Sequence, residues 1–188
     1  YRMSKQKQKI DSLHKRKMEK LKKNIDASIN AANRQRGIGI LLTGNGKGKS
    51  TSAFGMVIRS LGYDHKVGIV QFIKGQQLSG EEIYIRDKCP SVAFHQMSTG
   101  FTWETQDRSI DIAAAEKSWS KAEKMLKDDN YDLVVLDELT YMLSFKYLDE
   151  DKVIHALKHR PIHQSVVVTG RGGGAAFKSW ADTVSEIK

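Results

Sequence analysis

The stretch GIGILLTGNGKGKST, residues 37–51, joins a short apolar run to a glycine-rich turn that ends in Gly-Lys-Ser-Thr. An apolar run of this length is typical of a strand that is buried on both faces. The turn resembles the pattern G-x-x-x-x-G-K-[ST], whose backbone amides and lysine hold phosphate groups between a strand and a helix. One position departs from that pattern, because Thr43 stands where the first glycine belongs and Gly44 comes one residue later. The stretch therefore predicts a nucleotide site but leaves open whether a phosphate is transferred.

Three kinds of group in this loop could hold an anion. Gly44, Gly46 and Gly48 let the backbone curl so that successive N–H groups face one phosphate, and the positive end of the next helix adds to the attraction. Lys49 can bridge phosphate oxygens, while the Ser50 hydroxyl can hold Mg²⁺. The predicted nucleotide-binding residues are Gly44, Asn45, Gly46, Lys47, Gly48, Lys49, Ser50 and Thr51.

Beyond the loop, runs typical of buried strands alternate with helical patterns to the end of the chain. The further strands are predicted at residues 66–72, 91–97, 131–138, 163–170 and 182–188. The helices are predicted from the loop to about residue 61 and at residues 80–88, 107–128, 148–159 and 177–180. Strands that alternate with helices pair in parallel through right-handed crossovers. We therefore predict an α/β fold, with a mostly parallel six-stranded sheet flanked by helices and the last strand at its edge.

The run LVVLDE, residues 133–138, is a buried strand that ends in two carboxylates. In phosphate-loop enzymes an acidic residue at this place binds the metal ion or its water. Asp137 or Glu138 beside Ser50 would complete a site of oxygen ligands, which Mg²⁺ prefers. The pattern leaves open which of the two carboxylates is the ligand.

Two large aromatic side chains, Phe101 and Trp103, lie in the polar segment STGFTWET, residues 98–105, which follows the third predicted strand. Loops after parallel strands form the ligand crevice of an open α/β sheet, so these rings could make a flat apolar wall there. The alternative is that both rings fold back into the core, as large aromatic residues often do.

The net charge of +9 belongs to the first part of the chain. Residues 1–36 hold twelve Lys and Arg against three acidic residues, whereas the remainder holds nineteen of each sign. Residues at near-helical spacing form a narrow stripe in this tail, apolar except for one lysine: Ile10, Leu13, Lys17, Leu21, Ile25 and Ile29. We predict a basic N-terminal helical extension, residues 1–36, and a phosphate-loop domain, residues 37–188.

Cysteine content and hydropathy bear on the compartment. The single cysteine, Cys89, can form no internal disulfide and fits a reducing environment. No run approaches the roughly 18 apolar residues of a membrane span, and the basic N-terminus lacks the apolar region of a secretory signal. The sequence therefore predicts a cytoplasmic protein without a membrane partner.

Five segments together resemble the ATP:corrinoid adenosyltransferases, bacterial enzymes that handle cobalamin. The segments are TGNGKGKST, VGIVQFIKG, STGFTWET, VVLDELTYML and VVVTGR, in this order and near the family's spacings. The resemblance runs from about residue 36 to residue 188, and its specific parts are the Thr-led loop and FTWET. It implies a RecA-like phosphate-loop NTPase fold and a homodimer. The implied reaction transfers the 5′-deoxyadenosyl group of ATP to Co(I) of cobalamin or another corrinoid and releases triphosphate.

The resemblance also implies roles for the residues of the loop and the acidic strand end. Lys49 would be catalytic, because it would neutralise the departing triphosphate. Ser50 and Glu138 would bind Mg²⁺, or Mn²⁺ in its place. Asp137 would lie behind these two residues or serve as the alternative ligand.

For the aromatic segment, the resemblance implies contact with the second substrate. Phe101 and Trp103 would crowd the lower face of the corrinoid and displace its lower axial ligand. The cobalt would then be easier to reduce, so both residues count as catalytic in this interpretation. The implied partners are ATP, the corrinoid and an electron donor such as a reduced flavoprotein.

Two other functions stay open at the level of the sequence. An ATPase or kinase on the same fold would form ADP or a phosphorylated product and would use an extra arginine, which the spacing does not single out. The candidates are Arg59, Arg86, Arg108, Arg160 and Arg171. A polyanion- or RNA-binding module would use the basic tail and lose affinity steeply with salt, although we expect no nucleic-acid partner.

Overall fold

The computed structural model describes residues 2–32, 35–73, 77–98 and 107–188 of the 188-residue chain, and for residues 2–6 the backbone alone. The chain falls into two compact units, Tyr1–Gln35 and Arg36–Lys188. Among the described residues, no helix combines the length and the apolar character that crossing a membrane requires.

The first unit contains one long helix, α1 (Arg2–Ala31). This helix lies within the segment for which the sequence predicts a basic helical extension, residues 1–36. Ile10, Leu13, Leu21 and Ile25 are each about half exposed. This exposure follows from the architecture of the unit, because a lone helix cannot bury its own apolar stripe.

The second unit is built on a six-stranded sheet. Its strands are β1 (Gly39–Thr43), β2 (Val67–Gln71), β3 (Ala93–Gln96), β4 (Leu133–Asp137), β5 (Ser165–Thr169) and β6 (Thr183–Glu186). They lie in the order β3-β2-β4-β5-β1-β6, and every pair of neighbours is parallel. The predicted α/β fold with six strands is confirmed, and the last strand lies at one edge as expected.

In the described part of this unit, six helices connect the strands. They are α2 (Lys49–Leu61), α3 (Gly80–Lys88), α4 (Arg108–Lys127), α5 (Leu139–Ser144), α6 (Glu150–Lys158) and α7 (Gly174–Trp180). Polar side chains satisfy the first backbone N–H groups of several helices. At α3 the Ser79 hydroxyl accepts the Glu82 N–H, and the Glu82 carboxylate accepts the Ser79 N–H in return. Asp107 accepts N–H groups at the start of α4 in the same way.

Two helices differ from the prediction. α5 was not predicted, because its apolar residues continue the apolar run of β4 across the acidic pair. The turn between the two elements is made by Glu138, whose backbone is left-handed with φ 59°. α7 begins at Gly174, three residues before the helix predicted at residues 177–180.

The sheet separates two apolar clusters, because successive side chains of a strand point to opposite faces. Leu136 of β4 belongs to the cluster that contains Trp119 and Phe177. Val135, the neighbouring residue, belongs to the cluster that contains Phe54. Fully burying an apolar side chain of this size stabilises the folded state by roughly 1.5–3 kcal/mol. The helices that cover the two faces therefore stabilise the sheet from both sides.

The carboxyl ends of β1, β4 and β5 meet at one edge of the sheet. The register pairs Leu42 with Thr169 and Gln71 with Asp137, and β5 lies between β1 and β4. The ends of these strands bring Thr43, Asp137 and Thr169 to the same edge, where α2 also begins. The loop and the acidic strand end therefore share one place in the fold.

Candidate active site

The Lys49 ammonium lies across the phosphate loop. Its Nζ donates to the carbonyl oxygens of Gly44 at 2.8 Å and Gly46 at 2.7 Å, and only 7% of the residue is exposed. Lys49 is the first residue of α2, and Gly48 before it has a left-handed φ of 107° that turns the loop into the helix. The cation therefore stands at the positive end of a 13-residue helix, where both attract an anion.

The back of the loop packs against the end of β6. The Gly46 N–H donates to the carbonyl oxygen of Ile187 at 2.8 Å. A Cβ at Gly44 would overlap the backbone of Ile187, and a Cβ at Gly46 would overlap the backbone of Lys188. These two glycines are thus required by the packing of the chain itself. The expectation that successive loop amides face one phosphate differs from the structure at Gly46, whose N–H has a partner in the protein.

The Asp137 carboxylate is buried and held from three sides. One oxygen accepts the Thr169 hydroxyl at 2.7 Å, and the other accepts Nε2 of Gln71 at 3.1 Å. The Ser50 side chain lies beside this carboxylate. Burial raises the pKa of Asp137 above its ordinary value, and Thr169, Ser50 and Gln71 oppose the shift. The arrangement brings Ser50 and Asp137 together and fixes the orientation of Asp137.

Glu138 combines an unusual backbone with an unsatisfied side chain. Its left-handed conformation costs a non-glycine residue about 1–3 kcal/mol, and its N–H donates to the Thr169 hydroxyl at 2.9 Å. The Oε2 atom is buried and has no hydrogen-bond partner within the described ranges. Burial, followed by the charge of Asp137, raises the pKa of Glu138 to about 7, against the opposing charge of Lys49. This oxygen can therefore accept a group that the described residues do not supply.

The oxygen atoms gathered at this edge suit Mg²⁺. Hard cations of this kind take oxygen ligands and complete their shell with substrate phosphates and water. Ser50 lies beside Asp137, and Glu138 offers a buried oxygen that has no hydrogen-bond partner among the described residues. Across the part of the chain that the structure describes, no cluster of three or more His, Cys, Asp and Glu could hold a metal by itself. The residues present therefore fit a magnesium ion that arrives with a nucleotide.

A cavity of about 700 Å³ opens over the loop. Its lining consists of Gly46, Lys47, Gly48, Lys49, Ser50, Thr51, Ile73, Glu138, Tyr141 and Arg171. Sequence reasoning did not select Tyr141 and left Arg171 among five candidate arginines. The signal for Arg171 is its position directly after β5, at the edge where the strand ends meet. The cavity is large enough for a small-molecule ligand.

The remaining predicted site residues differ in where they lie relative to the cavity. Gly44 and Asn45 belong to the loop but not to the cavity lining. Thr51 lines the cavity, and its hydroxyl donates to Glu81 at 2.8 Å, which links the first turns of α2 and α3. Phe101 and Trp103 lie outside the described residues.

A family model described as ATP:corrinoid adenosyltransferase BtuR/CobO/CobP matches residues 35–188. The chain belongs to this family. Membership confirms the resemblance found in the sequence and makes the chain a transferase of the nucleotide-binding, phosphate-loop type.

This adenosyltransferase is similar over most of its length to curated relatives. It is 49% identical over 177 residues to the corrinoid adenosyltransferase of Pseudomonas aeruginosa, covering 94% of this chain and 87% of the relative. It is 45% identical over 178 residues to the corrinoid adenosyltransferase of Escherichia coli K12, covering 95% and 90%. The corrinoid adenosyltransferase CobA of Salmonella typhimurium is 47% identical over 178 residues, with the same coverage.

A solved structure supports the fold of the adenosyltransferase. The flagellar accessory protein FlaH of Methanocaldococcus jannaschii matches it with a TM-score of 0.52, covering 81% of this chain and 71% of FlaH. The two sequences are only 11% identical. The match therefore concerns the α/β architecture and not the activity.

Proposed function

We propose that this site transfers the 5′-deoxyadenosyl group of ATP to the cobalt of reduced cobalamin or another corrinoid. The electron pair of Co(I) attacks C5′ of the ribose. The Co–C5′ bond forms as the C5′–O5′ bond breaks, and the bonding pair leaves with the triphosphate. Because cobalt is the nucleophile, the chain has to supply alignment and charge stabilisation rather than a nucleophile or a strong base.

The observation that carries this proposal is the set of cations around the Glu138 carboxylate. Lys47, Lys49 and Arg171 all line the cavity, and the charge of each lowers the pKa of Glu138. A triphosphate in the cavity would lie among the same cations. Removing one preorganised group that faces developing negative charge typically costs about 2.7–4 kcal/mol of transition-state stabilisation. The three cations are therefore suited to a leaving triphosphate.

Ser50 and Glu138 are the residues that we propose to hold Mg²⁺ in this site. The ion, when bound, would neutralise charge on the phosphate oxygens, and Mn²⁺ suits the same oxygen ligands. Asp137 lies beside Ser50 and would orient its hydroxyl. Thr169 and Gln71 in turn keep Asp137 in one orientation.

For Phe101 and Trp103 we propose contact with the lower face of the corrinoid. Rings in this position would displace the lower axial ligand and exclude water. A four-coordinate Co(II) is easier to reduce, and the Co(I) that results is the nucleophile of the reaction. Holding cobalt and C5′ in line can supply several kcal/mol of the barrier.

We further propose a homodimer that works in the cytoplasm and receives electrons from a reduced flavoprotein. The homodimer and the electron donor rest on the family to which the chain belongs, and the compartment rests on the cysteine content and hydropathy of the sequence. Analytical ultracentrifugation of the purified chain tests the first of them, and a monomer at micromolar concentration would contradict it.

The phosphate product of a turnover tests the proposed reaction. The purified chain is incubated with ATP, Mg²⁺ and a corrinoid that has been reduced chemically to Co(I). We expect one triphosphate for each adenosylcorrinoid and no ADP, and no triphosphate when the corrinoid is left out. ADP or orthophosphate formed in step with turnover would indicate an ATPase or a kinase and would overturn the proposal.

A further inference from the structure

Thr43, which stands in place of the loop's first glycine, ties β1 to two other segments. Its hydroxyl donates to the carbonyl oxygen of Gly172, and its own carbonyl oxygen accepts the Ile187 N–H at 2.8 Å. Only 4% of Thr43 is exposed, so losing the hydroxyl's partner would leave a buried polar group unsatisfied. A glycine at this position could accept from Ile187 but could not reach Gly172. The threonine therefore adds a specific contact to the segment that follows β5.

That segment, residues 170–174, has little conformational preference of its own. Four of its five residues are glycines, and all four have positive φ. Glycine loses more backbone freedom on ordering than any other residue, so a glycine-rich segment needs anchors to keep one shape. Thr43 supplies one anchor. Thr140 of α5 supplies a second, because its hydroxyl donates to the carbonyl oxygen of Arg171 at 3.0 Å.

The two anchors lie next to the one charged side chain of the segment. Two successive carbonyls, those of Arg171 and Gly172, are held by threonine hydroxyls. The Arg171 side chain, which precedes both carbonyls, lines the cavity together with Lys49. We propose that Thr43 is a positioning residue, whose hydroxyl holds the glycine-rich segment so that Arg171 faces the triphosphate of bound ATP. This inference rests on the proposed function, because it assumes that ATP binds in the cavity.

The proposal differs in one measurable respect from a role in packing alone. If Thr43 only stabilised β1 and the loop, its removal would weaken ATP binding by the same factor whether or not Arg171 is present. If Thr43 acts through Arg171, its removal should matter little once the arginine is gone. Residues that act through one another are non-additive, whereas independent sites add.

The experiment measures the dissociation constant of ATP, with Mg²⁺ and without corrinoid, by calorimetry on the full chain. Thr43→Val keeps the branched shape but removes the donor, so we expect binding about fivefold to tenfold weaker, the effect of one hydrogen bond. Thr43→Ser keeps the hydroxyl and should bind within about twofold of the original chain. In the Arg171→Ala background, Thr43→Val should weaken binding by less than about twofold.

Ser165→Ala is the matched control. The Ser165 hydroxyl accepts the Ile38 N–H at 3.2 Å. This hydrogen bond joins β1 and β5 at their amino ends, whereas Thr43 lies at the carboxyl end of β1. This variant should lower the melting temperature about as much as Thr43→Val and leave ATP binding unchanged. Thermal unfolding of every variant is recorded beside the calorimetry.

An unchanged affinity of Thr43→Val, or an equal loss with and without Arg171, overturns the inference. If Thr43→Val does not fold, Thr140→Val takes its place, because it removes the other anchor of the segment. The same non-additivity with Arg171→Ala is then expected, and its absence overturns the inference. Failure of the original chain to bind ATP would instead overturn the proposed function, and the inference with it.

Discussion

Replacing Lys49 by Met removes one positive charge from the phosphate loop and keeps most of the side-chain volume. The ammonium donates to two carbonyl oxygens, at 2.8 and 2.7 Å, and the residue is 7% exposed. Hydrogen bonds to a charged group contribute about 1.5–3 kcal/mol each, whereas taking the ion out of water costs several kcal/mol. Because these terms nearly cancel, the unfolding free energy should change by no more than about 1 kcal/mol. That corresponds to about 2–4 °C in Tm for a chain of this size.

Catalysis should respond far more strongly, because nothing in the variant replaces the charge that Lys49 places beside the leaving triphosphate. Loss of one such preorganised group lowers kcat by about 10²–10³-fold. We therefore expect Lys49→Met to slow adenosylcorrinoid formation by this factor in single turnovers from ATP and pre-reduced Co(I) corrinoid. The absorbance change of the corrinoid reports the rate, and circular dichroism during heating reports the stability.

Lys127→Met is the matched control for this variant. Lys127 is an exposed residue of α4, paired with Glu123 at 3.1 Å, and its removal should change neither the rate nor the melting temperature. A rate for Lys49→Met within about fivefold of the original chain, with the fold intact, would refute the charge argument. A loss of activity that comes with a fall of about 10 °C in Tm would instead assign Lys49 to the folding of the loop.

Further changes test other parts of the site and one ion pair of the fold. Glu138→Gln replaces a buried carboxylate oxygen, which has no hydrogen-bond partner among the described residues, with a neutral amide. The Mg²⁺ concentration for half-maximal turnover and for ATP binding should therefore rise by about tenfold or more, and unchanged titrations would contradict the metal assignment. Phe101→Ala and Trp103→Ala should abolish turnover from Co(II) corrinoid with a reductant but spare turnover from pre-reduced Co(I), whereas an equal loss from both, with a lower melting temperature, would place the rings in the core. The Arg36 guanidinium, together with a backbone N–H, lowers the pKa of Asp182 to about 2. In the unfolded chain the pKa is about 3.9. The ionised carboxylate therefore stabilises the fold above the unfolded pKa, and this stabilisation is lost as the pH falls toward the folded pKa. Asp182→Asn should therefore make the melting temperature depend less steeply on pH between about pH 4 and pH 2, and an identical slope in both proteins would contradict this.

The helices show which local features a sequence can specify. α3 could be predicted to its terminal residues, because Ser79 and Glu82 cap its start and Pro90 follows shortly after its end. α5 could not, since its six residues continue the apolar run of β4. The break between the two elements depends on a left-handed Glu138, a conformation that the strand end and its tertiary contacts impose and that local propensity does not favour.

In the site, too, some features follow from the strand topology and others depend on tertiary contacts. That Ser50 and Asp137 lie near each other could be predicted, because the carboxyl ends of parallel strands lie at one edge of the sheet. The position of Arg171 after β5 is a signal that it lies near the site, but the contacts that hold its segment come from hydroxyls of residues that are distant in the sequence. The partner of the Gly46 N–H could not be predicted from the sequence either, because it lies beyond the last strand of the sheet.

The departures of the loop from the standard pattern change what is left to hold an anion. In the standard loop, successive backbone amides surround the phosphates. Here Gly46 donates its N–H to the end of β6, and Thr43 donates its hydroxyl to the segment after β5. The charge of a triphosphate therefore falls more heavily on the side-chain cations Lys47, Lys49 and Arg171. Lys49 already has two carbonyl partners within the loop, so its ammonium is satisfied both before the triphosphate binds and after it leaves. A loop held by its own contacts does not have to refold when the whole triphosphate departs, which suits a reaction in which the triphosphate is the leaving group.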